Sequence, residues 1–376
     1  MPKNIVICCD GTNNKFSNNE NTNIVHLYSC LKNDPSQVTY YNPGVGTLAQ
    51  EYYQGKFIRF FKELTDTFFA HSLDENVMDC YRYLMDKYQI GDKIYLFGFS
   101  RGAYSVRMLS GLINMFGLLH NGNQNHSRYI LKIYKYENQK FKFASRFKKI
   151  FSRPIKIHFM GIWDTVISVG FPFQTDLAFP FSIKLNNIVI IRHAVSIDET
   201  RKHYNFTKVD PLHKNLKEVY FAGVHSDVGG GYPEESLSKI SLEWIMNEAK
   251  NEGLKLVKDN VDKYVYGVKG TFQIPDFKGI LHNPYEKNTQ KLLELIPRRI
   301  GKFKIMDDKN TLKISKSKWV WKLGQRRKID SGSLIHESVF QKIGYNQSNH
   351  NYKPNNLDLN TPKIYRTEPA QKIQFY

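Results

Sequence analysis

Ser100 lies midway between Gly98 and Gly102 in a Gly-x-Ser-x-Gly pattern. It stands where an apolar run, residues 93–99, meets a helical periodicity carried by Val106, Leu109, Leu112 and Ile113. A serine at such a strand-to-helix turn is forced into strained backbone geometry. Small residues two positions away on each side then keep the flanking strand and helix from clashing. The hydroxyl is presented at the top of a sheet, against the N-terminus of the following helix. A serine hydroxyl is a poor nucleophile at neutral pH, so it needs a base, and the base needs a carboxylate to fix its tautomer. Two further apolar runs, 155–163 and 218–224, end in Asp164 and His225. In open α/β sheets reactive groups gather at the carboxyl ends of strands. The expected trio is therefore Ser100 as nucleophile, His225 as base and Asp164 as orienting acid, in the chain order of an α/β-hydrolase. The glycines at 229–231 suit a tight loop that returns His225 toward Ser100. Asp227 competes with Asp164 for the carboxylate role. His336 competes with His225, although no clear strand precedes it.

Acyl transfer also needs an oxyanion hole. The backbone amide of Arg101, next after the nucleophile, is one expected donor. The turn Asp10-Gly11-Thr12 after the first apolar run makes the amide of Gly11 or Thr12 the other. The same Asp-Gly-Thr could belong to an aspartyl-phosphate chemistry, but the position two residues earlier, where that chemistry needs a nucleophilic carboxylate, is Cys8. Asp10, His225 and Asp227 could approach a metal, yet their spacing matches no ligand pattern. No metal or cofactor is expected.

These residues need a scaffold. Residues 4–9, 38–42, 93–99, 155–163 and 218–224 read as strands. Leu73, Val77, Tyr81 and Leu84 mark one face of a helix within 57–90, and Leu242, Ile245, Met246 and Ala249 another that Gly253 closes. Residues 187–200 read equally as strand or helix. Strands alternating with helices predict an α/β class with a mostly parallel sheet flanked by helices. The expected organisation is a core over 1–255, a basic helical insertion near 126–154, and a less regular basic extension over 256–376 that packs on the core or forms a membrane- or partner-facing cap.

The 376 residues are 41% hydrophobic, enough for a large core rather than wholesale disorder. Cys8, Cys9, Cys30 and Cys80 show no C-x-x-C spacing and read as buried, reduced thiols. The first residues lack the apolar length of a signal peptide, and no apolar run reaches the length of a membrane span, so synthesis in the cytoplasm and export by a dedicated machine are the expectation. The net charge of +19 is uneven. Residues 128–156 carry ten Lys and Arg against one acid, and residues 298–328 carry twelve against two. Aromatics interleave with both. Residues 141–151 have the pattern of a helix lying in a membrane interface, which makes Phe147, Lys148 and Lys149 candidates to face an anionic membrane surface. Trp319, Trp321, Arg326 and Arg327 are candidates by the same reasoning.

Six segments, CCDGTNN, YYNPGVGT, GFSRGAYSVRML, GIWDTV, SIDETR and FAGVHSDVGGGY, in this order, resemble the α/β-hydrolase-like family that includes the type VI secretion phospholipase effectors. The resemblance spans roughly residues 4–255. It implies an α/β-hydrolase core with lipase-type Ser100, Asp164 and His225, a phospholipid substrate and a role in interbacterial antagonism. A secretion-apparatus carrier and an immunity protein are the partners it implies. IHESV with YKPNNL, residues 335–357, also looks family-like and keeps His336 in contention. The expected function is a serine esterase acting on phospholipid. The rival class is a basic nucleic-acid-binding protein on a hydrolase-like scaffold, for which the chain shows no recognisable module. An inactive partner-binding scaffold is a third reading.

Overall fold

A computed structural model describes residues 1–11, 20–44, 66–136, 141–166, 181–201, 204, 206–268, 272–285, 298–300, 318–320, 326–345, 352–358, 362–366, 373 and 375. Eight strands form one sheet: β1 (Asn4–Cys9), β2 (Gln37–Asn42), β3 (Lys93–Phe99), β4 (Ile157–Trp163), β5 (Ile188–Ser196), β6 (Leu216–Phe221), β7 (Leu334–His336) and β8 (Lys363–Tyr365). Their order is β8-β7-β6-β5-β4-β3-β1-β2, and every adjacent pair is parallel. All eight carboxyl ends therefore lie on one side of the molecule, where Ser100, Asp164 and His225 follow β3, β4 and β6. The ambiguous stretch 187–200 is resolved as strand β5, a β-branched run buried between β4 and β6.

A strand covered on both faces must be apolar throughout, and β1 is buried at all six positions. Its side chains alternate. Ile5, Ile7 and Cys9 enter one core with α2 (Asp66–Lys87), α3 (Arg101–Phe116), α4 (Ser127–Tyr136) and α5 (Phe141–Phe151). Val6 and Cys8 enter the other with α1 (Asn23–Cys30), α7 (Ser236–Asn251) and α8 (Lys258–Tyr264). The adjacent cysteines thus serve opposite faces, and all four thiols are buried and free. Leu73, Val77, Tyr81 and Leu84 form the buried face of α2 as their spacing predicts.

The C-terminal third supplies β7 and β8, which extend the sheet beyond β6. α9 (Glu337–Gly344) follows β7 directly. Among the described residues, no helix is long and apolar enough to cross a membrane.

Candidate active site

The turn at Ser100 has the geometry that its glycine spacing predicts. Ser100 adopts φ 57°, ψ −120°, a conformation that costs an L-residue about 1–3 kcal/mol unless its surroundings impose it. They do. Its amide continues the sheet by donating to Trp163 O at 3.0 Å, and its carbonyl accepts from Tyr104 N at 3.3 Å as α3 begins. A Cβ on Gly102 would stand 2.1 Å from Cys9 O and 2.5 Å from Asp10 O, and one on Gly98 2.6 Å from the Ala103 backbone. Either methyl would drive helix and strand apart.

Asp164 also sits at positive φ, 39°, where β4 ends, and is fully buried. One carboxylate oxygen accepts from Ser196 N at 3.0 Å, and the other meets His225 Nδ1 at 2.5 Å. Arg327 grips both oxygens, Nη1 donating to Oδ1 at 2.5 Å and Nη2 to Oδ2 at 3.0 Å. Burial alone would raise this carboxyl. The Arg327 guanidinium and the His225 imidazole more than offset it and hold the group far below the usual carboxylate range.

His225 opens the short helix α6 (His225–Gly229). Its amide donates to Glu199 Oε2 at 3.1 Å, and Glu199 is itself gripped by Arg201, at 2.8 and 2.7 Å. The imidazole stacks on Phe99, the residue before Ser100, with ring centroids 4.6 Å apart, and meets Tyr204 edge-on at 4.8 Å. A Cβ on Gly229 would lie 1.9 Å from the Phe99 ring, so α6 can approach the elbow only with glycine there. Burial lowers the His225 pKa below its ordinary value, against the pull of Asp164. The result is a neutral imidazole whose Nδ1 is taken by a carboxylate, beside a strained serine. Ser100 Oγ is not among the hydrogen-bond partners of His225, and proton transfer requires the two to close.

The other candidates fall elsewhere. Asp227 accepts from Val224 N at 3.0 Å, capping α6, and pairs with His282 Nδ1 at 2.6 Å rather than with His225. His336 ends β7, four strands from β3, with no loop to carry it back. Its Nδ1 accepts from Ser338 N at 3.2 Å, its ring stacks on Phe221, and burial pushes its pKa down to about 3. Gly11 corrects the oxyanion expectation: its amide donates to Asp10 Oδ1 at 2.7 Å, while Asp10 Oδ2 accepts from Thr22 Oγ1 and Tyr41 Oη. Thr12 lies outside the described residues. Arg101 is the first residue of α3, so its amide is at the helix N-terminus beside Ser100.

The membrane-facing set needs two corrections. Phe147 is 7% exposed and packs against Phe116 and Phe151, because the apolar stripe of α5 turns to the core. Arg327 is buried at Asp164. Lys148 donates to Asn114 O at 3.0 Å, Lys149 is exposed, and Arg326 pairs with Asp198 at 3.5 Å. Trp321 and the side chain of Trp319 lie outside the described residues. The solvent face of α5 carries Lys142, Arg146, Lys149 and Ile150, the last 68% exposed. Among the described residues, no group of three or more His, Cys, Asp or Glu side chains is placed to hold a metal ion.

Sequence reasoning missed Arg327, Glu199 and Arg201. The SIDETR segment held a signal for the last two, an acid and a base at i, i+2 in a motif with no other assignment. Arg327 was hidden among twelve basic residues.

A family model described as "T6SS, Phospholipase effector Tle1-like, catalytic domain" matches residues 3–248. The Saccharomyces cerevisiae protein named "Uncharacterized protein YEL023C" is 39% identical over 238 residues, covering 58% of this chain and 35% of that protein. A crystal structure of an uncharacterized Pseudomonas aeruginosa protein aligns at 20% identity and TM-score 0.41, over 73% of this chain and 49% of that one. A structure of the Tle1 effector bound to the VgrG spike from the Type 6 secretion system aligns at 16% identity and TM-score 0.37, over 61% and 51%. The chain spans about a third of the length of its yeast relative and about half of each of these solved chains.

Proposed function

This chain belongs to the Tle1-like family of type VI secretion phospholipase effectors through its catalytic domain, and from that premise we propose that it is a serine hydrolase of phospholipid acyl esters. The observation that carries the reading is the juxtaposition of a strained Ser100 with a buried Asp164–His225 pair beside it. Ser100 Oγ attacks the ester carbonyl and passes its proton to His225 Nε2. Asp164 holds Nδ1–H and stabilises the imidazolium. The α3 N-terminus, with the Arg101 amide, stabilises the tetrahedral oxyanion. The alcohol leaves with the proton from His225, and water hydrolyses the acyl-enzyme by the same relay in reverse.

Phospholipid as substrate follows from membership of a family of phospholipase effectors. Delivery on a secretion-apparatus carrier follows from the same membership, since the family's effectors are those of a type VI secretion system. Antibacterial action, restrained by an immunity protein in the producing cell, is the matching role. Docking on an anionic bilayer fits the exposed Lys142, Arg146, Lys149 and Ile150 of α5, each basic residue contributing about 1 kcal/mol near such a surface.

The deciding experiment compares wild type with Ser100→Ala. Wild type should hydrolyse a short-chain ester, react with a fluorophosphonate at Ser100 and release fatty acid from mixed liposomes by mass spectrometry. The variant should fold and do none of these. Activity in Ser100→Ala within a few-fold of wild type would sink the proposal. Because burial lowers the His225 pKa, kcat/KM should fall only below pH 6.5, as the base becomes protonated. Charge reversal at Lys142, Arg146 and Lys149 should cut liposome hydrolysis several-fold while sparing the soluble ester. Equal losses on both would remove the docking role.

A further inference from the structure

Arg327 reaches the site from beyond the residues that the family model covers. Besides its two bonds to Asp164, Nη1 donates to Ser196 Oγ at 2.7 Å and Nη2 to Tyr204 O. Its own carbonyl accepts from Asn356 Nδ2 at 3.0 Å, and the same amide donates to Ile197 O at 3.0 Å. Next to it, Arg326 pairs with Asp198, whose carboxylate also accepts from Tyr352 Oη at 2.8 Å. Residues 326–327 and 352–356 thus clasp the segment after β5 and deliver one guanidinium into the buried face of Asp164.

A buried carboxylate needs a counter-charge, and removing one partner of such a pair leaves the other strongly destabilised. Asp164 has two possible counter-ions, His225 and Arg327. If His225 filled that role at rest it would hold a proton already, and a general base must be unprotonated. The other charges around the imidazole are internally balanced. Glu199 is held by Arg201, and Asp227, on α6 itself, is held by His282. Phe99 and Tyr204 present rings. Arg327 is therefore the cation matched to Asp164.

We propose that Arg327 is a positioning residue of the hydrolase: it neutralises Asp164 so that His225 rests as the unprotonated base, and it makes the triad depend on the docked C-terminal segment. The inference rests on the reading of His225 as the base.

The test uses the full chain in two arms. In the first, the His225 imidazole is titrated by NMR in Ser100→Ala and in Ser100→Ala with Arg327→Gln. Loss of the guanidinium should raise the His225 pKa by about one unit or more, since an opposite charge at this distance is worth about 1–3 units once unshared. In the second, kcat/KM on a soluble short-chain ester is followed against pH with Ser100 intact. Arg327→Gln should move the acid limb upward by the same amount, with about tenfold loss at pH 6 and near wild-type turnover at pH 9. Arg327→Lys, which keeps the charge without the fork, should fall between the two and serves if Arg327→Gln fails to fold. An unchanged His225 pKa, or a loss of activity equal at every pH, would overturn the proposal. A shifted His225 titration in a protein with no esterase activity would support the control of His225 by Arg327 and reject the hydrolase reading instead.

Discussion

Asp164 meets His225 Nδ1 at 2.5 Å, and Asp227 meets His282 Nδ1 at 2.6 Å. In carboxylate-to-imidazole distance the two pairs are nearly the same object. They differ in what surrounds them. His225 is sealed against Phe99 and Tyr204, its carboxylate is shared with Arg327, and burial lowers its pKa. His282 is partly exposed, stacks on Tyr232 at 3.8 Å, and has a second acid, Glu234, on Nε2 at 3.1 Å. The hydrogen bond from Asp227 raises its pKa, so it holds its proton. The first pair leaves a neutral ring beside a serine. The second is an ion pair that pins the 272–285 segment to α6. Carboxylate contact alone does not make a general base. The second nitrogen and the counter-ion of the carboxylate decide it.

The largest test of that contrast is His225→Ala, which should cost about 10⁵–10⁶ in turnover. Combining it with Ser100→Ala should add nothing further, because the members of a relay act as a unit. Asp164→Asn, which keeps the shape but favours the wrong tautomer, should cost about 10⁴ in kcat. His282→Ala should leave kcat within about twofold and instead cost stability, about 1–3 kcal/mol for the acceptor it strands. The sign of its pH dependence follows from the raised pKa. The ion pair is fully formed below the unfolded-state pKa near 6.5 and is lost as pH rises through the raised folded value. The urea midpoints of wild type and His282→Ala should therefore converge above neutral pH. Smallest is Glu234→Gln, which removes only the partly exposed acid and should shift stability by at most about 1 kcal/mol. If His282→Ala abolished turnover and His225→Ala were silent, the two pairs would have to exchange roles.

The legible part of this site was the part written locally. Gly98 and Gly102 specify the elbow because the clashes they avoid involve backbone within a few residues of Ser100 or at the end of the adjoining strand. The same holds for the alternating faces of β1 and the buried stripe of α2, which follow from periods of two and 3.6 residues. Phe147 was misread because an apolar stripe with basic flanks satisfies a membrane interface and a protein core equally well. Only the packing of Phe116 and Phe151 against it chooses. Gly11 was misread because a turn after a strand says nothing about which acceptor its amide finds, and here the neighbouring Asp10 takes it.

What the amino-acid order by itself determined is the parallel α/β architecture, the strained serine and the three strand-end residues. Each is encoded by sterics and periodicity within a short window. What only the tertiary structure decided is the pairing of charges. Asp164, rather than Asp227, meets His225 across 61 residues, and Arg327 meets Asp164 across 163. Nothing in the sequence singles out one arginine among the basic residues of the C-terminal third. Its choice is made by burial. Asp164 is sealed from water, so its charge must be matched by whichever cation the fold carries to it, and the fold carries Arg327.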